Sequence, residues 1–410
     1  MEYGLIGEKL GHSFSPDIHN SFCNYKYELC PLKKEELESF LVKKDFKGLN
    51  VTIPYKQNVI PYCNFLSDEA KEIGAVNTIV NKDGKLYGYN TDIYGFIFMA
   101  SLCGVSFQNK KVLILGSGGT SLTAKYAANK LGASNIFIVS RNGSINYSNV
   151  YNFSDAEIII NTTPVGMYPN NGGRVIDLNK FPKCSGVLDV VFNPLSTYLI
   201  QEAKQLGIPC SGGLPMLVAQ AKRAAELFTD NDISDSKTTQ VISKMKKKFS
   251  NVVLIGMPGS GKTTAGSVVA EKLGFRFVDT DHVVENQKGC TISEIFAAEG
   301  ETSFRLLEKD AVADAGKQCG CVIATGGGVV LNPENMFALR QNGIVFFLKR
   351  DLTKLAREGR PLSKDDKHIE ELYKIRLPLY KKYADKIIDD DNIEIVQDKI
   401  VEGFNEIIGS

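Results

Sequence analysis

Two apolar runs, each stopped by a glycine-rich turn, constrain this chain more than any other feature. Val112-Leu-Ile-Leu115 runs into Gly116-Ser-Gly-Gly119, and Val252-Val-Leu-Ile255 runs into Gly256-Met-Pro-Gly-Ser-Gly-Lys-Thr263. Four apolar residues closed by glycine predict a buried strand that turns sharply into a helix. Such a turn aims unpaired helix N–H groups and the positive end of the helix dipole outward, where phosphate binds. The two turns start 140 residues apart, which predicts two separate nucleotide sites. Elsewhere apolar runs alternate with helix-like stretches, the pattern of parallel α/β sheets.

The chain has 410 residues, room for two or three domains at roughly 150 residues each. Hydrophobic residues make up 43% and charged residues 23%, which excludes wholesale disorder, collagen-like repetition and a disulfide miniprotein. With 48 Lys+Arg against 47 Asp+Glu, nothing global favours nucleic acid or an acidic membrane as partner. Nine cysteines, an odd and scattered set, suit a reducing compartment. Cys319 and Cys321 are too close for a zinc ribbon, and the four histidines, His12, His19, His282 and His368, form no metal-spaced cluster. The first residues lack a basic segment followed by an apolar one, and no run approaches about 18 apolar residues. The expected location is the cytoplasm.

Residues 229–238, TDNDISDSKT, are polar and predict a loop or an exposed helix start. Lys244, Lys246, Lys247 and Lys248 follow and predict a solvated linker. The domain boundary is therefore expected near residue 248, with residues 1–248 before it and 249–410 after it.

After the first glycine turn, Asn135-Ile-Phe-Ile-Val139 predicts the next strand, ending at Ser140-Arg141-Asn142. A site for NAD places a carboxylate there; Arg141 suits a 2′-phosphate and favours NADP. Asn161-Thr162-Thr-Pro-Val-Gly-Met167 closes a third apolar run, where open α/β sheets bind ligands. The first hundred residues carry hydroxyls, amides and one lysine–carboxylate set in Ser13-Phe-Ser15-Pro, Asn50-Val-Thr52-Ile-Pro-Tyr-Lys56, Gly74-Ala-Val-Asn77-Thr and Asn90-Thr-Asp92. Ser13 and Ser15, two apart, face one way if the chain is extended. Together these groups suit a small polyhydroxylated molecule.

With Gly212-Gly-Leu-Pro-Met-Leu-Val-Ala-Gln220-Ala, these motifs resemble shikimate dehydrogenase over about residues 1–245. The resemblance implies a three-layer α/β substrate domain, about 1–100 plus 212–245, and a Rossmann NADP domain, about 101–211. It implies Lys56 and Asp92 as the catalytic pair and Ser13, Ser15, Thr52, Asn77 and Gln220 as substrate contacts. NADP contacts are expected at Gly116, Ser117, Gly118, Gly119, Ser140, Arg141, Asn161, Thr162, Met167 and Gly213. The run Asp189-Val-Val-Phe192 departs from the family, many members of which have tyrosine where Phe192 stands.

The second turn fits the P-loop pattern at every required position. Gly256, Gly259, Ser260, Gly261, Lys262, Thr263 and Thr264 are expected around ATP, with Thr263 on Mg²⁺. Downstream, Asp279 and Asp281 are expected on one side of an extended strand end. Arg305 and Glu308, three apart, are expected on one helix face. Gly326, Gly327 and Gly328 let a ligand pack on bare backbone. Arg357, Arg360 and Arg376 form a basic region able to close over phosphate. This set resembles shikimate kinase over about residues 250–410, which implies a P-loop NTPase-type α/β domain with a parallel sheet. It also implies Asp281 on the attacking hydroxyl, Asp279 on Mg²⁺, Arg305 and Arg376 on the substrate carboxylate beside Gly327 and Gly328, and Arg360 on the transferring phosphate. Arg357-Glu-Gly-Arg360 is shorter than in many members.

The two resemblances imply a bifunctional enzyme that reduces 3-dehydroshikimate with NADPH and phosphorylates shikimate with ATP and Mg²⁺, as a monomer or a homodimer. The alternatives are a quinate/shikimate dehydrogenase fused to another small-molecule kinase, and a non-catalytic shikimate-binding sensor.

Overall fold

The computed structural model describes residues 1–11, 13–355 and 366–409. Contacts divide the chain into two compact units, Met1–Asn193 with Thr197–Met245, and Pro194–Ser196 with Lys246–Ser410. Among the described residues, no helix is long and apolar enough to cross a membrane.

The first unit holds two sheets. One has six strands, β1 (Tyr3–Gly7), β2 (Tyr27–Pro31), β3 (Gly48–Val51), β4 (Phe65–Leu66), β5 (Thr78–Lys82) and β6 (Lys85–Tyr89), in the order β2-β1-β3-β5-β6-β4. It is mixed: β5 runs antiparallel to both β3 and β6. The two-residue turn Asp83-Gly84 between β5 and β6 explains this, because a hairpin must reverse direction. The other sheet is fully parallel: β7 (Lys111–Leu115), β8 (Asn135–Val139), β9 (Ile158–Asn161), β10 (Gly186–Asp189) and β11 (Cys210–Ser211), in the order β11-β10-β9-β7-β8. The chain leaves β7 to one side and returns to the other, so a crevice opens between the ends of β7 and β9, where such folds bind ligands.

Helix Leu214–Thr229 crosses back onto helix Asp92–Leu102, and Gly95 permits the approach. A Cβ on Gly95 would stand 3.1 Å from Cβ of Gln220 and clash with the Met216 carbonyl. The helices meet over a core that includes Phe96, Met99 and Met216. Lys222, 4% exposed, reinforces this pairing. Its Nζ reaches Tyr94 Oη at 2.8 Å, Asp235 Oδ1 at 2.7 Å and Glu226 Oε1 at 3.5 Å.

The lysine run at 244–248, within which the two units divide, is helical rather than loose solvated chain. It lies inside helix Asp235–Phe249, whose Val241, Ile242, Met245 and Phe249 are buried. Apolar residues at helical spacing anchor the segment, with Lys244 and Lys248 exposed and Lys246 and Lys247 half-buried.

The second unit is one parallel sheet: β12 (Asn251–Ile255), β13 (Arg276–Asp279), β14 (Cys321–Ala324), β15 (Gly343–Lys349) and β16 (Lys386–Asp389), in the order β13-β14-β12-β15-β16. β12 is buried throughout, so both sheet faces are covered and the strand reads as an unbroken apolar run.

Candidate active sites

The first site is a cavity of about 510 Å³ lined by Ser13, Ser15, Thr52, Lys56, Asn77, Asp92, Gly213 and Gln220, with Lys9, Phe14, Thr120 and Phe192 among the rest. Lys56 Nζ stands 2.6 Å from Asp92 Oδ2, and the two side chains are 28% and 16% exposed. Asp92 opens helix Asp92–Leu102, where a carboxylate meets the positive helix end. Asn77, 3% exposed, fixes it from the other side. Its Nδ2 donates to Asp92 Oδ1 at 2.9 Å and its Oδ1 accepts from the Thr91 N–H at 2.7 Å. Behind it, Asn50 Nδ2 donates to Thr78 Oγ1 at 3.1 Å, and Tyr27 Oη donates to Asn50 Oδ1 at 2.7 Å. The carboxylate is thus held through Oδ1 by a buried polar network, and its Oδ2 faces the lysine.

Ser13 and Ser15 converge, but not along extended chain. Ser15 opens helix Ser15–Phe22, and Ser13 Oγ bonds Ser15 Oγ at 3.2 Å across the turn into that helix. Gln220 Nε2 donates to the Leu217 carbonyl at 2.9 Å. Phe192 meets Phe14 edge to face, ring centroids 6.1 Å apart, and both line the cavity. His12 lies outside the described residues.

The expected cofactor residues end or follow β7, β8 and β9, except Gly213, which follows β11. Gly116 adopts φ 109, and a Cβ there would stand 2.7 Å from Thr162 Oγ1. Thr162 Oγ1 in turn donates to the Leu115 carbonyl at 2.8 Å. Ser117, Gly118 and Gly119 are exposed. A Cβ on Gly118 or Gly119 would meet nothing within 4 Å, so bare backbone and the first turn of helix Gly119–Lys130 face open space. Arg141 and Met167 are exposed and Ser140 is half-buried. Asn161 is different: it is 0% exposed and its amide is engaged by Asp189, Val165 and Thr163, so it supports the loop from beneath. Burial pushes the Asp189 carboxyl up to about 6, against lowering bonds from Thr197, the Val191 N–H and Asn161.

The second site is a cavity of about 320 Å³ that gathers Gly259, Gly261, Lys262, Thr263, Thr264, Asp279, Asp281, Arg305, Gly327, Gly328 and Arg376. Gly256, Gly259 and Gly261 adopt φ 151, 84 and 90, a backbone that side chains oppose. Lys262 Nζ is folded onto the Gly256 and Met257 carbonyls, each at 2.9 Å. Ser260 is buried at the base of the loop. Thr263 Oγ1 donates to Asp279 Oδ2 at 2.7 Å. These two oxygens, exposed to the cavity, form a hard donor pair that fits Mg²⁺ shared with phosphate and water.

Asp279 and Asp281 come together by helix capping rather than by strand alternation. β13 ends at Asp279, whose Oδ1 caps helix Thr280–Lys288 by accepting from the Asp281 N–H at 3.0 Å. Burial first, then the charges of Asp279 and Glu308, push the Asp281 carboxyl up to about 7. Asp281 Oδ1 and Glu308 Oε1 are buried without a hydrogen-bond partner among the described residues. Gly326 separates them: a Cβ there would stand 2.6 Å from the first and 2.9 Å from the second. Glu308, 1% exposed, accepts from Arg305 Nη1 at 3.0 Å. Arg305 also reaches Glu301 at 2.8 Å. Arg376 is 2% exposed, and Tyr380 Oη donates to the Gly327 carbonyl at 2.5 Å. Arg357 and Arg360 lie outside the described residues. Sequence patterns did not point to Glu285, Phe296 or Arg350, which also line this cavity, as does Phe304 of the Phe304-Arg305 motif.

A lysine–aspartate pair beside a parallel nucleotide-binding sheet defines a nucleotide-dependent oxidoreductase. A P-loop facing carboxylates and buried arginines defines a small-molecule phosphotransferase. A family model described as shikimate dehydrogenase substrate binding domain matches residues 5–79, and one described as shikimate kinase matches residues 258–406. The "Shikimate dehydrogenase (NADP(+))" of Clostridium beijerinckii is 38% identical over 267 residues, 60% of this chain and 98% of the relative. A chorismate mutase/shikimate 5-dehydrogenase fusion protein from Clostridium acetobutylicum is 34% identical, with a TM-score of 0.57 over 60% of this chain and 97% of that one. The shikimate 5-dehydrogenase of Thermus thermophilus, solved with NADP(H) and shikimate, is 27% identical, with a TM-score of 0.54 over 60% and 99%. The chain belongs to the shikimate dehydrogenase family and carries a shikimate kinase domain after it.

Proposed function

We propose that the two sites work in succession on one molecule. The chain is a bifunctional shikimate-pathway enzyme: it reduces 3-dehydroshikimate to shikimate and phosphorylates shikimate to shikimate 3-phosphate. NADPH supplies the hydride for the first step, and ATP with Mg²⁺ supplies the phosphoryl group for the second.

In the first site, Ser13 and Ser15 hold the substrate carboxylate with neutral donors, and Thr52, Asn77 and Gln220 take ring hydroxyls. Lys56 stands at the developing alkoxide and gives it a proton. Asp92 orients the ammonium at 2.6 Å and accepts from a neighbouring substrate hydroxyl. The exposed turn at Gly116–Gly119 holds the pyrophosphate, Met167 and Gly213 flank the cofactor, and Arg141 pairs with the 2′-phosphate.

In the second site, the P-loop backbone and Lys262 hold the phosphates, Thr263 and Asp279 hold Mg²⁺, and Arg305 and Arg376 pair with the substrate carboxylate. Asp281 accepts the proton of the attacking hydroxyl, a task suited to a carboxyl pushed up to about 7. Arg360 is proposed on the transferring phosphate.

The observation that carries the account is that each cavity gathers its own set of polar residues, Lys56 with Asp92 in one and Lys262 with Asp281 in the other. Lys56→Ala is expected to lose NADPH oxidation and keep ADP formation, and Lys262→Ala the reverse. Full activity of either variant in its own reaction refutes that assignment. Nine free cysteines support a reducing cytoplasmic location.

A further inference from the structure

Three arginines were expected to close over phosphate, at 357, 360 and 376, and of these only Arg376 lies among the described residues. Another arginine stands at the P-loop itself. β15 runs parallel to β12 with Phe347 beside Ile255, so both chains leave the sheet at the same edge. Arg350 follows β15 at once and lines the kinase cavity with Gly261, Lys262 and Thr263.

Its Nη1 lies 3.8 Å from the position a Cβ on Gly261 would take, and Ile393 Cδ1 lies 3.4 Å from the same point. A guanidinium and a methyl group thus converge on the bare face of the last P-loop glycine. Nε of Arg350 is buried without a hydrogen-bond partner among the described residues. Asp391 Oδ1 faces it at 3.9 Å, an ion-pair distance too long for a hydrogen bond. A buried donor without an acceptor is unfavourable, and this Nε still lacks one among the described residues.

Topology says which ligand brings it. Gly326, Gly327 and Gly328 follow β14, on one side of β12, with Arg305 against them. Arg350 follows β15, on the other side of β12. Gly261 caps helix Lys262–Leu273, whose first N–H groups face the α- and β-phosphates in a P-loop. We propose that Arg350 is a nucleotide-binding residue whose guanidinium takes an oxygen of the diphosphate shared by ATP and ADP. Ile393 forms the apolar wall beside it. The proposal rests on the phosphoryl-transfer account of this site.

The test is ADP binding to the full chain by calorimetry, with NADPH oxidation as an activity control. R350A is expected to bind ADP about tenfold more weakly, the loss of one charge-assisted contact. R350K is expected to recover part of this, because the charge remains and the planar fork does not. KM for shikimate in phosphorylation and the rate of NADPH oxidation stay unchanged. D391A keeps or tightens ADP binding, because it releases the guanidinium. R350A within twofold of the parent overturns the proposal, as does a D391A that weakens ADP as much as R350A. R350Q carries the same comparison if R350A does not fold. A parent chain that binds no ADP overturns the phosphoryl-transfer account first, and the proposal with it.

Discussion

Gly326→Ala tests the geometry of the kinase site with a single methyl group. Its Cβ would stand 2.6 Å from Asp281 Oδ1 and 2.9 Å from Glu308 Oε1. A carbon–oxygen contact needs about 3.4 Å, so Asp281 must retreat by about 0.8 Å and Glu308 by about 0.5 Å. Neither retreat is free. Asp281 is tied by its own backbone N–H to Asp279, and Glu308 by Arg305 at 3.0 Å. A misplacement of about 1 Å in a reacting group costs about 10²-fold in rate. Overpacking of this kind costs roughly 1–3 kcal/mol of stability. ADP formation with saturating shikimate and ATP should fall about 100-fold, while NADPH oxidation by the same sample stays at its parent rate. Kinase activity within twofold of the parent refutes the claim that Asp281 and Glu308 flank the reacting group across this glycine.

Four further outcomes follow from the same structure. Asp281→Asn should lower phosphorylation by about 10²–10⁴-fold and raise the thermal midpoint of the second unit at pH 8, read by calorimetry. The sign is fixed by linkage: the folded pKa of about 7 lies above the ordinary 3.8, so the protonated form is favoured in the fold. The stability this confers is complete below 3.8 and is lost as pH rises through about 7, and asparagine escapes that loss. Phosphorylation by the parent should fall as pH drops through about 7, with no matching step in its Asp281→Asn residual. Asn77→Ala should lower the rate of NADPH oxidation about 10²-fold, because Asp92 loses the amide that fixes it at 2.9 Å. Lys222→Ala should destabilise the first unit by about 2–3 kcal/mol in urea unfolding, since Glu226, 8% exposed, keeps its buried charge with one cation fewer.

Much of both sites was legible because phosphate binding demands glycines at fixed spacing after an apolar strand. Gly116–Gly119 and Gly256–Thr263 carry that demand locally, and the structure has a strand, turn and helix at each. Lys56, Asp92 and Asn77 were legible as a set of residue types, but the network that fixes them runs through Asn50, Thr78 and Tyr27, distant in sequence. Where spacing was converted into geometry, it failed twice. Ser13 with Ser15 and Asp279 with Asp281 meet at helix starts, where the chain has left the extended form that strand alternation assumes, and Asp279 itself caps its helix. The lysine run at 244–248 looked like loose solvated chain because charge dominated its composition; buried Val241, Met245 and Phe249 make it helical. Gly95, Lys222 and Arg350 carried no local signal, since each is defined by what a second helix or strand brings to it.

The most direct test is a one-pot assay with the purified full chain, 3-dehydroshikimate, NADPH, ATP and Mg²⁺. NADPH loss, ADP formation and shikimate 3-phosphate are followed together. The account predicts that all three occur, that Lys56→Ala stops all three with added shikimate restoring only ADP and the phosphate ester, and that Lys262→Ala stops only ADP and the phosphate ester. NADPH loss without any phosphorylation of the shikimate formed, or phosphorylation that persists in Lys262→Ala, would contradict it.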